Sequence, residues 1–185
     1  MNFLSIILAS IIMNNTLQQK KDNILLNASI VQTENKWRIV NDGVMGGLSS
    51  SKVFIDGDSK IIFSGNVSLE NNGGFASLRS PVKNYNFENF SGIEIKIKGD
   101  GKLYSFSMKE TSYFNGYFYT SSFETKKDEW NVVQISFNQF KLYYFGKETS
   151  SNKNIPLNNI KEISLLIGDK QSGSFNTEID YIKLY

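Results

Sequence analysis

SGIEIKIKGDGKLYSFSMKE, residues Ser91 to Glu110, is the stretch that decides the fold class. Ile93, Ile95 and Ile97 alternate with Glu94, Lys96 and Lys98. Successive side chains of a strand point to opposite faces, so this alternation buries the isoleucines and leaves the charges in water. Gly99, Asp100 and Gly101 make a tight turn, and Leu103 to Met108 begins a return strand. The unit is therefore expected to be a β-hairpin.

The same plan recurs on both sides. In KVFIDGDSKIIFSGNVSLE, Val53 to Ile55 runs into an Asp-Gly turn at Asp56 and Gly57, and Ile61 to Leu69 runs out again. Further strands are expected in GGFASLRS (Gly73 to Ser80), in the aromatic GYFYTSSFET (Gly116 to Thr125) and in EWNVVQISFNQF, with Val133, Ile135 and Phe137 in step. IKEISLLIGD places Ile163, Leu165 and Ile167 in step, and SFNTEIDYIKLY does so with Phe175, Ile179 and Tyr181. No long helical stripe with caps interrupts this pattern beyond about Ile30. Seven or more short strands separated by turns predict an all-β domain, an antiparallel β-sandwich or barrel.

Composition narrows the chemistry. The chain has 185 residues, 40% of them hydrophobic, which suits one domain with a substantial core. It contains no cysteine and no histidine. That excludes disulfides, thiolate catalysis, Cys- or His-based zinc sites and a Ser-His-Asp triad. The net charge is +2, carried by scattered lysines with Arg38 and Arg79 as the only arginines. Nucleic-acid binding, which needs a clustered basic face, is not expected. Phe3 to Met13 is an apolar run of signal-peptide length, too short to span a bilayer. Residues 1–26 are accordingly expected to be a leader and linker, and residues 27–185 the domain. The protein is then exported or periplasmic; if the first segment instead packs on the domain, it is cytoplasmic.

NDGVMGGLSSS, Asn41 to Ser51, invites a phosphate-loop reading. No Lys follows Gly47 and no helix pattern follows the glycines, so both nucleotide fingerprints fail. A second cluster, Asn71, Asn72, Gly73 and Gly74, has the residues of a sharp turn. Both loops read either as turns at sandwich ends or as a face using Asn41, Asp42, Asn71, Asn72 and Arg79 as directional donors and acceptors. Trp37 and Trp130 read more readily as core than as binding platforms. Tyr113, Phe114, Tyr117 and Tyr119 form a dense patch around Asn115 and Gly116, of which alternation lets about half face outward. Among the carboxylates, Asp42, Asp56, Asp58 and Asp100 suit turns. Glu178 and Asp180 share a face of the last strand and read as a solvated face in preference to a cation site.

These residues together resemble the complex I intermediate-associated protein 30 family. The resemblance rests on WRIVNDGVMGGLSSS from Trp37 and FSGNVSLENNGGFASLRS from Phe63. It continues through GDGKLYSFSMK from Gly99, EWNVVQISFNQF from Glu129 and GSFNTEIDYIKLY at the end, covering about Asn35 to Tyr185. It implies a galactose-binding-like jelly roll and a non-enzymatic, chaperone-like binding protein, since members include a mitochondrial factor that assists assembly of respiratory complex I. No cofactor and no metal are expected. The expected partner is a protein, such as a subunit or assembly intermediate of a larger complex, with a carbohydrate as the alternative and peripheral membrane association left open. The candidate binding residues are Trp37, Asn41, Asp42, Met45, Gly46, Gly47, Ser49, Asn71, Asn72, Gly73, Gly74, Arg79 and Tyr117. Arg79 leads them, and its replacement by alanine is expected to weaken binding while leaving folding intact. A carbohydrate site further requires exposed rings among Trp37, Tyr113, Tyr117 and Tyr119 beside Asn, Asp or Arg.

Overall fold

Ile93, Ile95 and Ile97 are all fully buried, as their alternation requires. They lie on β6 (Gly92–Lys98) in a computed structural model that describes Ser5, Ile7 and residues 23–34, 36–151 and 153–185. β6 belongs to a six-stranded sheet ordered β3-β4-β13-β6-β9, with β1 also paired to β13. Its strands are β1 (Ile24–Asn27), β3 (Ser50–Ile55), β4 (Ile61–Val67), β9 (Trp130–Ser136) and β13 (Gly173–Leu184). A seven-stranded sheet faces it, ordered β11-β10-β8-β7-β12-β5-β2. It comprises β2 (Arg38–Asn41), β5 (Ala76–Arg79), β7 (Leu103–Lys109), β8 (Tyr117–Glu124), β10 (Lys141–Tyr144), β11 (Lys147–Glu148) and β12 (Glu162–Ile167). All strand pairs are antiparallel, so the expected antiparallel β-sandwich is the fold. The core lies between the sheets, where Phe63 meets Phe175 edge-on at 4.9 Å and the buried isoleucines of β6, β12 and β13 interlock. Each such isoleucine contributes about 1.5–3 kcal/mol by leaving water.

Three local expectations change. Val53–Ile55 and Ile61–Phe63 do form a hairpin, but β6 and β7 do not. β6 pairs with β9 and β13, whereas β7 pairs with β8 and β12. The Gly99–Gly101 turn therefore carries the chain across the sandwich, so that each strand buries one face against the opposite sheet. Asp100 secures that crossing by accepting the Lys102 and Asn176 N–H groups at 3.2 and 2.9 Å and the Tyr104 hydroxyl at 3.1 Å. On β13 the register shifts between Ile179 and Tyr181. Phe175, Thr177 and Ile179 point inward before the shift, and Ile182 and Leu184 after it. Tyr181 thereby leaves the core face and donates its hydroxyl to Glu94 at 2.8 Å. Finally, a seven-residue helix, α1 (Ala28–Glu34), stands where no helix is expected. The Asn27 side chain accepts the Ile30 N–H at 2.9 Å, and Ile30 and Val31 pack on the core. Two turns are too short to display a helical stripe in the sequence.

The leader expected over residues 1–26 lies outside the described residues except for Ser5, Ile7 and 23–26. Among the described residues, no helix is long and apolar enough to cross a membrane.

The outer face of the six-stranded sheet is laced with ion pairs. Glu178 is held by Lys98 at 3.0 Å, and Asp180 by Lys96 at 2.9 Å and by Lys60, so both carboxylates have lysine partners. Glu94 accepts from Lys183 at 2.8 Å, Gln134 at 2.7 Å and Tyr181. These partners, Lys183 foremost, bring its carboxyl down to a pKa of about 2 from the ordinary 4.5. A carboxyl whose pKa is lower in the folded than in the unfolded chain stabilises the fold above its unfolded value, and that stabilisation is lost as pH falls toward the folded value. Between pH 4.5 and about 2, Glu94→Gln is expected to flatten the acid loss of stability. Urea unfolding midpoints at pH 5.5 and pH 3 measure this. An undiminished difference between the two midpoints in the variant would remove the assignment.

Candidate functional site

The glycine loops are joined by one carboxylate. Asp42 follows β2 directly and opens a 3-10 turn that closes at Gly46, whose φ is +88°. Its side chain is fully buried. Oδ1 accepts the Ser49 N–H at 2.9 Å. Oδ2 accepts the Ser49 hydroxyl, the Gly74 N–H and, at 3.2 Å, the Phe75 N–H. The Asp42 N–H in turn donates to the Phe75 carbonyl at 3.3 Å. Burial opposes the charged form, but the hydrogen bonds from Ser49, Gly74 and Phe75 outweigh it and hold the pKa below the usual carboxylate value. A Cβ on Gly47 would collide with the Asp42 carboxyl carbon, and one on Gly73 would lie 2.6 Å from Oδ2. Here the glycines make room for a carboxylate belonging to the chain itself.

Several expected binding residues are consumed by this brace. Asp42 and Ser49 are buried and bonded to each other. Asn41 accepts the Ser51 hydroxyl at 2.7 Å, and Asn71 donates to the Gly46 carbonyl at 3.2 Å. Trp37 packs in the core. Gly46, Met45, Asn71 and Asn72 remain exposed, and Leu48 and Leu69, which the sequence does not single out, join them at the surface.

Arg79 lies at the other end of β5, on the face turned away from the first sheet. It stands opposite Arg38 in the β2–β5 register, which brings the chain's only two arginines together. Like charges directly opposed on neighbouring strands repel. Glu162 of β12 answers them, pairing with Arg38 through Oε2 and with Arg79 through Oε1 at 3.5 Å. Lys109 of β7, its cross-strand neighbour, approaches Oε1 at 3.3 Å. The Glu162 and Lys109 side chains are only 2% and 5% exposed, whereas that of Arg38 is 45% exposed. Arg79 also donates through Nε to the Ser77 hydroxyl at 3.1 Å and covers the Phe118 ring at 5.7 Å. Burial pulls its pKa down, with Glu162 opposing, but a guanidinium keeps its charge at neutral pH. Arg79 is thus part of a buried ion cluster, and removing it disturbs Glu162 as well as any ligand. Folding and binding are not separable there in the way the sequence reading expects.

From Phe118 a line of rings runs to the surface. Phe114 lies 6.2 Å from Phe118 and 5.5 Å from Phe145, Phe145 lies 4.7 Å from Tyr144, and Tyr144 lies 4.5 Å from Tyr117. The β7–β8 and β10–β11 loops hold these rings together through the Phe145 N–H donating to the Gly116 carbonyl at 2.9 Å. A Cβ on Gly116 would lie 2.5 Å from the Phe145 ring, so only glycine lets the loops meet. Tyr113, Phe114, Tyr117, Tyr144 and Phe145 are all exposed, Phe145 at 58%. Tyr119 is buried in the core, as alternation within the patch allows. Beside the rings, the outer face of β7 and β8 carries hydroxyl pairs, Ser105 with Ser122 and Ser107 with Thr120, both at 2.8 Å. Trp130, expected in the core, is instead 40% exposed on the other sheet beneath Lys60 and Lys96.

Arg38, Lys109, Glu162, Phe118, Tyr144 and Phe145 escape the sequence reading. The scarcity of arginine in a lysine-rich chain is the one signal that points toward Arg38. Of the other five, Lys109, Glu162, Phe118 and Tyr144 lie on four different strands and Phe145 in the β10–β11 turn.

The family model described as Complex I intermediate-associated protein 30 (CIA30) matches residues 26–179. The uncharacterized protein C9E9.15 of Schizosaccharomyces pombe is 29% identical over 173 residues, covering 81% of this chain and 78% of that one. The mitochondrial Complex I intermediate-associated protein 30 of Mus musculus is 22% identical over 172 residues, covering 82% of this chain and 52% of its own length. The chain therefore spans about half of the mouse protein. Among solved structures, the family 11 carbohydrate-binding module of a cellulosomal cellulase of Clostridium thermocellum superposes with a TM-score of 0.61 at 19% identity, covering 80% of this chain and 86% of that one. A family 11 module from Clostridium thermocellum in complex with a β-1,3-1,4-mixed-linked tetrasaccharide gives 0.60 at 19% identity, covering 80% and 88%. At such identities the likeness shows the fold alone, a jelly-roll β-sandwich.

Proposed function

This chain belongs to the Complex I intermediate-associated protein 30 family, and from that premise we propose that it is a non-enzymatic protein-binding module that assists assembly of a multi-subunit complex. The observation that carries the reading is the exposed ring cluster of Tyr113, Phe114, Tyr117, Tyr144 and Phe145. Monomeric surfaces seldom expose contiguous apolar patches of this kind, and aromatic side chains dominate binding energy at protein interfaces. Export through a signal peptide in residues 1–26 is part of the same proposal. Determining the N-terminus of the mature protein checks it, and a first residue at Met1 would remove it.

A carbohydrate partner is the second reading, favoured by Tyr113 and Tyr117 standing exposed beside Asn115 and Gly116. The ring geometry favours protein. Phe114 and Phe145 meet at 81°, and Tyr144 and Phe145 at 88°. Rings packed edge to face present slots for side chains, and the pair that includes the exposed Tyr117 is itself tilted, by 36° against Tyr144.

Capture from native membranes and soluble extract, with the full chain as bait, separates the two. Wild-type protein is expected to retain a subunit or assembly intermediate of one complex. The double variant Phe114→Ser, Phe145→Ser is expected to retain at least about tenfold less, since central aromatics each carry about 2 kcal/mol or more at interfaces. Capture unchanged by the double variant, or ring-dependent binding only on a glycan array, would overturn the proposal.

A further inference from the structure

We propose that the cluster of Arg38, Arg79 and Lys109 around Glu162 receives a carboxylate side chain from a peptide segment of the partner in which acidic and aromatic residues alternate. The proposal rests on the protein-binding reading of the neighbouring rings and names the chemistry that ring contacts alone do not supply.

Charge is the first argument. Three cations surround one carboxylate: Arg38 on Oε2, with Lys109 and Arg79 at 3.3 and 3.5 Å from Oε1. Among the described residues the patch thus carries two positive charges in excess of its carboxylate, with Lys109 5% exposed and Arg79 12%. Glu34 lies nearby but is matched by Lys83 at 3.8 Å. Buried charge left in excess is costly, and an incoming anion relieves it. Geometry is the second argument. Among the described residues, Glu162 Oε1 has no hydrogen-bond partner although two cations flank it. Lys109 and Arg79 are attracted to that oxygen from 3.3 and 3.5 Å without forming a well-aligned hydrogen bond to it. Arg38 gives Nη1 to the Ser80 carbonyl at 3.0 Å and Nη2 to Glu162, and Arg79 gives Nε to the Ser77 hydroxyl, so the Nη groups of Arg79 supply the N–H bonds that remain to hold a carboxylate. The half-exposed Arg38 gives the ligand its way in.

The surroundings identify the carrier. Arg79 covers Phe118, which leads through Phe114 to Phe145 at the surface. A carboxylate seated on the arginines has apolar ground beside it, which suits a phenylalanine or leucine in the same segment. Phe114, Phe145 and Tyr144 meet at 81° and 88°, which leaves slots between rings that suit peptide side chains.

The chain has only two arginines, so its ¹⁵N spectrum contains two Nε–Hε signals, one from Arg38 and one from Arg79. The full chain is titrated with the blocked peptide Gly-Glu-Phe-Glu-Phe-Gly, with its Gln counterpart, and with oligogalacturonate. The Glu peptide is expected to move both signals saturably, with binding at least about tenfold tighter than for the Gln peptide and weaker at high salt. Arg38→Gln, at a half-exposed position, is expected to abolish the Arg79 response while the rest of the spectrum stays native. Equal response to both peptides, no arginine response, or response to oligogalacturonate alone would overturn the proposal. If both peptides shift the Phe114 and Tyr117 signals alike and leave the arginines still, the carboxylate assignment fails and the ring-binding module stands. Arginine shifts from the Glu peptide with silent rings uphold the assignment and count against the ring surface.

Discussion

Asp42→Ala is expected to cost the domain about 4 kcal/mol, lowering its thermal midpoint by about 8–16 °C for a chain of this size. The carboxylate receives three backbone N–H groups and one hydroxyl in a site closed to solvent. Alanine leaves those donors without partners, and each buried unsatisfied group costs about 1–3 kcal/mol. Relaxation of the loops toward water recovers part of that sum. Asp42→Asn keeps one acceptor oxygen and is expected to lose about half as much. The arrangement also makes a coupled prediction: Gly47→Ala is disruptive because its Cβ meets the Asp42 carboxyl. In an Asp42→Ala background the contacts with the carboxyl carbon and Oδ1 are gone and that with Cβ, at 2.8 Å, remains, so the second substitution should add less than it does alone. Urea unfolding of the four proteins measures both effects. A loss below about 1 kcal/mol for Asp42→Ala, or strict additivity with Gly47→Ala, would refute the brace.

Glu162→Gln is expected to cost about 3 kcal/mol, toward the lower end for a broken buried pair because Arg38 can turn to water. It leaves three cations facing one another with no anion among them. Arg79→Gln is expected to cost less, since Arg38 and Lys109 stay paired to Glu162. The two losses also differ in their response to salt. Sodium sulfate should restore more stability to Glu162→Gln than it adds to the wild type, by screening and occupying the cationic cluster. Equal salt gains in both proteins, with a loss for Glu162→Gln no larger than that for Arg79→Gln, would show that Glu162 is not the centre of the cluster.

The layered β fold is legible in the sequence because alternation states directly which face of a strand is buried. It reads correctly for Ile93, Ile95 and Ile97, and for Ile163, Leu165 and Ile167. Partnership between strands is not stated that way. Gly99-Asp100-Gly101 could close a hairpin or cross a sandwich, and only the distant Asn176 and Thr125, which crowd that corner, decide it. Tyr181 is in step with Ile179 on paper, yet one register shift turns it to the surface. The site divides similarly. Tyr113, Phe114 and Tyr117 are close in sequence and read as a patch. Tyr144 and Phe145 reach them only through the packing of two loops. Arg38 and Arg79 are 41 positions apart and meet because β2 pairs with β5. Asp42 stands out in NDGVMGG, but nothing in that string says that its ligands are the backbone of residues 74 and 75.

The Asp42 brace and the paired arginines sit at opposite ends of the same two short strands. Any change of length in either glycine loop would drag β2 along β5, and a slip of one residue would turn Arg38 toward the core. The ring-bearing loops at 111–115 and 145–146 set no strand register, with Gly116 kept because a Cβ there would meet the Phe145 ring. For protein engineering, the chain thus separates into a frame whose lengths cannot be edited and a surface whose loops can be exchanged. Libraries built at 111–115 and 145–146 could alter what is bound while the cationic cluster stays in register.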